Sequence, residues 1–360
     1  MKKITSIDDF FTESEKISEN PFDRINQKVK EILDSDNYQF ESHCHIFNKD
    51  YLPLHFMQLR LNELPDRTFH WLRAKNRLVE YLYSADRITG VDDFIRNFFS
   101  KDMKEVLERL MSYYPDNFIF TPLTMDMTYG WDKLSSTKDL AAQIKDMQSL
   151  IKTNYPILPF MAIDPRNPDI YNQFIDAFTG DNPFFGVKVY PALGYLVSDP
   201  VLMNIYEVCQ QKNIPVTTHC GGTIIRSMQN KIILNGFQIK SGELVSYTKT
   251  IENKSGFISE DDTNFLNDPD KWKPVIFKYK KLKLNLGHYG GMKAWKKNGS
   301  RISTIKNLMK NGDYVYADFS YNLDNKKALK NFVKKMQNGG VNPDRSLYGT
   351  DFYMVTPIGD

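Results

Sequence analysis

Histidine and cysteine are both scarce in this chain, with six and three copies among 360 residues. A small, odd number of cysteines in a long chain argues against a disulfide framework and for a reducing, cytoplasmic setting. No apolar run reaches the length of a membrane span. The opening "MKKITSIDDFFTESEK" carries two lysines with no apolar stretch behind them, so it does not read as a secretory signal. Neither sign of charge dominates: 47 basic residues meet 44 acidic ones for a net charge of +3. The lysine runs "KKLK" (280–283) and "KK" (296–297) are too short to form a basic stripe, so a nucleic-acid partner is not expected. The sequence also has no internal repeat, no low-complexity tract and no Gly-rich phosphate loop after its first strand, which removes the mark of a dinucleotide-binding sheet. A small-molecule partner fits what remains, and the oligomeric state leaves no readable trace.

What is present is an alternation. Strand-like runs occur at 37–47, 117–125, 157–163, 184–190, 214–220, 282–288, 313–319 and 346–351, and helical periodicity at 138–152, 168–178, 199–212, 301–311 and 325–337. Eight strands separated by helices predict an α/β protein with a parallel sheet, best closed as a (β/α)₈ TIM barrel over residues 37–360. Residues 1–36 form an N-terminal helical extension. Two connections exceed what a barrel needs: a helical insertion at 48–116 and a loop insertion at 221–273. Both follow C-terminal strand ends, the face where a barrel keeps its active site.

The histidines fall on that face. In "ESHCHIF" (41–47), His43 and His45 share one side of a strand, because side chains alternate. Two imidazoles so placed can converge on one ion at about 2.0–2.1 Å. His219 ends "VTTHCGG", His288 ends "LNLGHYGG" and Asp351 ends "YGTDF", each at a C-terminal strand end. Neutral imidazole and carboxylate are the usual donors for zinc and similar divalent metals. Leu282, Leu284 and Leu286 share parity with His288, so plain alternation does not aim it inward. A local bulge at Gly287, or leucines filling the barrel floor, would reconcile this.

With "HCHIF", "AIDPRNP", "GVKVYPALGY", "THCGGT", "DPDKWKPVIFKYKKLKLNLGHYGG" and "LYGTDF" in this order, the sequence resembles the amidohydrolase superfamily, in particular its amidohydrolase family 2 branch of aminocarboxymuconate-semialdehyde decarboxylase-like enzymes. The resemblance runs from about residue 37 to 354. It implies a metal-dependent (β/α)₈ enzyme carrying Zn²⁺ or another divalent metal, one or two per chain. It also implies that His43, His45 and His219 are metal ligands. Asp351 would be a ligand that also handles the proton of the attacking water. His288 would be a second-metal ligand or a substrate-polarising residue. Glu41 stands where the branch usually carries aspartate.

Lys188, in "FFGVKVYP", faces the interior between Val187 and Val189. A buried ammonium is costly unless compensated. Two solutions are open: a salt bridge to Glu41 or Asp351, or carboxylation of Lys188 to bridge two metals, as in phosphotriesterase- and dihydroorotase-like relatives. Cys44 and Cys220 fall on the opposite faces of their strands and read as packed hydrophobes. Arg226, on the loop after His219, is either a surface residue or a clamp for a substrate carboxylate. Asp164 and Arg166 read as structural, and His55 and His70 as surface or packing residues. Only nine residues follow Asp351, too few for a normal eighth barrel helix. A truncated C-terminus is one expectation. The other places residues 22–36, with the apolar stripe Ile25, Val29, Ile32 and Leu33, in the gap between strands 8 and 1, on the barrel floor, or leading into strand 1. The expected activity is metal-assisted hydrolysis of a carbonyl in an amide, lactone or ester. The alternative is a mononuclear decarboxylase or hydratase acting on a small carboxylic acid.

Overall fold

The computed structural model describes residues 3–53, 96–131, 138–223, 225–254, 256–291, 300–321, 326–338 and 341–352. Most of the insertion expected at 48–116, including His55 and His70, lies outside them. Strands β1 (Gln39–Cys44), β2 (Phe118–Pro122), β3 (Phe160–Ile163), β4 (Gly186–Val189) and β5 (Val216–Thr218) are followed by a hairpin, β6 (Lys231–Lys240) and β7 (Glu243–Glu252). Then come β8 (Leu284–Leu286), β9 (Val315–Asp318) and β10 (Ser346–Leu347). The helices are α1 (Ile7–Ser14), α2 (Gln27–Leu33), α3 (Met103–Met111), α4 (Leu140–Lys152), α5 (Ile170–Thr179), α6 (Pro200–Gln211), α7 (Glu260–Leu266), α8 (Lys273–Lys278), α9 (Ser300–Asn311) and α10 (Lys326–Gln337). All eight strand-like runs of the sequence contain one of these strands, and all five helical ones coincide with a helix.

Side chains start the helices where the sequence offers oxygen acceptors. Asp139 accepts from the Ala142 amide before α4, and Asp199 caps α6 with Pro200 at its first position. Both supply a partner to an amide the helix itself leaves free.

The fold is α/β. A six-stranded parallel sheet runs in the order β10–β9–β8–β5–β4–β3, and β1 pairs with β2, also parallel. Isolated parallel bridges join the two sheets: Phe120 to Ile157, Leu123 to Phe160, and Cys44 to Phe352. Register decides which way each side chain points. Lys188, Thr217, Asn285 and Tyr316 stand in one row across β4, β5, β8 and β9. The flanking rows, Val187–Val216–Leu284–Val315 and Val189–Thr218–Leu286–Ala317, are buried on the opposite face. The leucines of β8 therefore alternate to the face away from Lys188.

Two expectations need correction. The 221–273 segment is not a loop insertion: β6 and β7 form a ten-pair antiparallel hairpin. Ser241 (φ 52°) and Gly242 (φ 84°) make its two-residue turn, as primed hairpin turns require. Ile232, Leu234 and Ile251 point inward onto Leu196, Ile258 and Leu266. The stripe of residues 22–36, in turn, does not lie between β10 and β1. Ile25, Val29 and Ile32 pack on Ile119 and Leu158, near the N-terminal ends of β2 and β3.

Candidate metal centre

His43 and His45 emerge from β1, where a register shift between Glu41 and Cys44 bends the strand. Two glycines make room for the first imidazole. A Cβ on Gly287 would lie 2.9 Å from His43 Cε1, and one on Gly349 would lie 2.8 Å from His43 Cβ. His219 follows β5 directly, Asp318 ends β9, and Asp351 follows β10. His288 sits in a tight turn after β8 with φ 62°, followed by Tyr289 at φ 47°. This left-handed pair re-aims the imidazole that alternation would send outward among the leucines, so the local departure expected near Gly287 occurs at His288 itself. Asp351 is left-handed as well, at φ 62°.

These side chains meet in one buried cluster. His43 Nδ1 lies 2.9 Å from Asp318 Oδ2, and His45 Nδ1 lies 3.0 Å from the Leu123 carbonyl. Each of these acceptors takes an N–H, which leaves both Nε2 atoms as lone pairs. The Nε2 atoms face the same carboxylate: Asp351 Oδ1 is 3.3 Å from His45 and 3.7 Å from His43. Two lone pairs directed at a carboxylate repel unless positive charge stands near them; Lys188 Nζ, 3.2 Å from His43 Nε2, offers some, and a bound cation would offer more. The set His43, His45 and Asp351 is buried, with ligand atoms within 4.8 Å of one another. His219 Nε2 is buried and has no hydrogen-bond partner among the described residues. This donor chemistry fits a divalent cation.

The electrostatics agree in sign. Burial, with Lys188 close by, lowers His43 to about 4 against the pull of Asp318. Burial and the neighbouring His288, Lys188 and His43 hold His219 well below its usual range. Burial alone would raise both aspartates, but their partners reverse it. The His43 contact takes Asp318 far below the carboxylate range. The His45 hydrogen bond and the fields of His288 and His43 take Asp351 to about 2. At neutral pH His43, His219 and His288 are thus neutral and both aspartates ionised, the protonation states that bind metal.

Lys188 is fully buried, with Nζ 3.2 Å from His43 Nε2. Burial lowers it to about 8 while Asp351 and Asp318 pull the other way at longer range. The expected salt bridge to Glu41 or Asp351 is not formed. Glu41 turns instead to the amides of Thr350 (2.8 Å) and His43 (3.2 Å) and the hydroxyl of Tyr114 (2.8 Å). Both ring nitrogens of His288 are engaged: Nδ1 with Ser320 Oγ at 2.8 Å and Nε2 with His219 Nδ1 at 2.9 Å.

A cavity of about 350 Å³ opens over His45, His219, His288 and Asp351. Arg226 and Arg301 line it, and Arg226 Nε is buried without a hydrogen-bond partner among the described residues. Asp164 and Arg166 form a two-pronged pair at 2.9 and 2.6 Å. Cys44 and Cys220 are buried in the apolar core. Sequence reasoning missed Asp318, Ser320 and Arg301. Asp318 carried a usable signal, since it stands at the C-terminal end of a strand just as Asp351 and the histidines do.

The amidohydrolase family model matches residues 43–360, and the chain belongs to that family. No curated protein matches it. Among solved structures it is similar to 5-carboxyvanillate decarboxylase from Novosphingobium aromaticivorans, complexed with manganese and 4-hydroxy-3-methoxy-5-nitrobenzoic acid (12% identity, 93% of this chain and 90% of that one, TM-score 0.46). It is also similar to 2,6-dihydroxybenzoate decarboxylase from Rhizobium (13%, 88% and 88%, 0.46). A third is a probable 2-pyrone-4,6-dicarboxylic acid hydrolase from Acinetobacter baumannii with citric acid bound (9%, 89% and 88%, 0.44).

Proposed function

We propose that this chain is a metal-dependent hydrolase acting on the carbonyl of a small amide, lactone or ester. Its strands would close a (β/α)₈ barrel over residues 37–360, with residues 1–36 as a helical extension. The bridges Leu123–Phe160 and Cys44–Phe352, at the two margins between the sheets, support that closure. The observation that carries the functional reading is the convergence of the His43 and His45 Nε2 lone pairs on Asp351 beneath a cavity. His43, His45 and Asp351 would hold a divalent cation, zinc or a similar metal, with His219 adding its free Nε2. Such an ion, when bound, supplies Lewis acidity and lowers the pKa of water. Asp351, ionised and at the cavity wall, can accept a proton from water and return it to the leaving group. Lys188, with Nζ 3.2 Å from His43 Nε2, adds positive charge beside the ligand set.

One ion per chain fits better than two, because both His288 nitrogens are engaged and Lys188 already contacts His43. A carboxylated Lys188 would require two. Elemental analysis with and without bicarbonate decides: a single equivalent unchanged by bicarbonate supports the mononuclear form. Arg226 favours a second reading, decarboxylation or hydration of a small carboxylic acid, since it lines the cavity and its guanidinium could receive a carboxylate there. Incubating the metal-loaded protein with lactones, amides and aromatic carboxylates separates the two. Incorporation of ¹⁸O from water with cleavage of the amide, lactone or ester bond supports hydrolysis. Release of CO₂ with no ¹⁸O in the organic product supports decarboxylation, and ¹⁸O gained with no bond cleaved supports hydration.

A further inference from the structure

Asp318 is the most heavily hydrogen-bonded carboxylate near the cavity among the described residues. Its Oδ2 accepts from His43 Nδ1 at 2.9 Å and from Asn285 Nδ2 at 2.7 Å. Its Oδ1 accepts from the amides of His288 (3.0 Å) and Ser320 (3.1 Å), and from the Ser320 hydroxyl. The carboxylate is fully buried, so these partners replace water completely. An ionised carboxylate only accepts, which fixes the direction of every bond it makes.

Those directions propagate. Ser320 has one hydroxyl proton, and it goes to Asp318. The Ser320 oxygen must then accept from His288, so the 2.8 Å contact is His288 Nδ1–H donating. A neutral imidazole has one N–H, so His288 Nε2 is an acceptor. The 2.9 Å contact between the rings then requires His219 Nδ1 to donate. His219 is left with a bare Nε2, which is the nitrogen that finds no partner among the described residues. On the other arm, His43 donates Nδ1–H directly to Asp318 and keeps its Nε2 unprotonated, an acceptor 3.2 Å from Lys188 Nζ.

We propose that Asp318 is a positioning residue that sets the tautomers of two metal-binding imidazoles at once, His43 directly and His219 through Ser320 and His288. The inference rests on the metal-centre reading above and gives His288 a relay role in place of ligation. One buried carboxylate thereby presents two Nε2 lone pairs from strands on opposite sides of β8.

The test reads tautomers and metal affinity. In metal-free, ¹⁵N-histidine-labelled protein, long-range ¹H–¹⁵N spectra should show His43, His219 and His288 protonated at Nδ1. Ser320→Ala should release His219 into a tautomer mixture while His43 stays at Nδ1, and Ser320→Thr should restore the wild-type pattern. In chelator competition, Ser320→Ala should weaken zinc binding by roughly 10–100-fold, the usual cost of losing an orienting partner, with Ser320→Thr near wild type. Asp318→Asn should disturb both arms; if it fails to fold, the Ser320 pair decides alone. A His219 protonated at Nε2 in the wild type, or unchanged by Ser320→Ala, overturns the proposal. If the wild type binds no divalent cation, the metal-centre reading fails, while the tautomer spectra still judge the hydrogen-bond chain.

Discussion

At the C-terminal ends of the parallel strands, imidazoles and carboxylates surround a cavity of about 350 Å³; at the N-terminal ends, Phe40, Leu158, Phe160, Val216 and Leu284 line another of about 520 Å³. Thr217 and Asn285 border the second cavity, and Asn285 also reaches Asp318. The backbone differs between the ends as well. Left-handed residues near the N-terminal ends are Asn154 and Asn213, of the type that tolerates this conformation. Near the C-terminal ends they are His288, Asp351, Tyr289 and Tyr321, and the two bulky tyrosines cost on the order of 1–3 kcal/mol each. Strain and buried polar groups thus collect at one end and apolar burial at the other. The second offsets the first, so stability and chemistry should separate by mutation.

The largest expected effect is at the polar end. A His43→Ala/His45→Ala protein should lose its metal and its turnover while keeping its far-ultraviolet circular dichroism. Full metal occupancy in that variant would sink the assignment. The matching test at the apolar end is Ile32→Asp, which places a carboxylate among Val29, Ile119 and Leu158. It should cost roughly 4 kcal/mol in urea unfolding, through lost burial and an unpartnered charge, with zinc affinity unchanged in the fraction that folds. If metal affinity falls with stability, the two ends are coupled and the comparison breaks.

The alternation of strands and helices was legible because buried parallel strands are short apolar runs separated by periodic helices. His43, His45, His219, His288, Asp351 and Lys188 were legible by their place at strand ends or facing inward. Less visible was anything set by backbone departures. Alternation fails for His288 because the turn there is left-handed, and no composition rule reports that. Lys188 lacks the expected carboxylate partner because Glu41 has nearer donors in Thr350 and Tyr114. The hairpin was legible in principle, since "KIILNGFQIK" and "ELVSYTKTIE" flank a Ser-Gly turn, a pattern that alternation does encode. Asp318 is harder to single out, because aspartate is common along the chain and only its place at a strand end sets this one apart.

Glu41 offers the finest test, since it stands between the two ends, fully buried, under the loop that carries Asp351. Burial raises its pKa to about 7, and the bonds from Thr350, Tyr114 and His43 only partly oppose this. In the unfolded chain a glutamate titrates near about 4.3. Between these values the folded state holds the extra proton, so stability must fall as pH rises from about 4 to about 7, then level off. Glu41 contributes no penalty below that window and its full cost above it, about 4 kcal/mol for a shift of this size. A glutamine side chain at this position would keep an acceptor for the two amides and carry no charge. Metal-free Glu41→Gln should therefore match the wild type near pH 4, where the glutamate is protonated in the folded state and largely so in the unfolded one. It should be the more stable of the two at pH 8, by up to about 4 kcal/mol. Urea unfolding across that range reads the difference directly. Parallel curves at all pH values would mean that the carboxylate ionises freely in the folded protein, and that the buried seam between the ends is wetter than its hydrogen bonds imply.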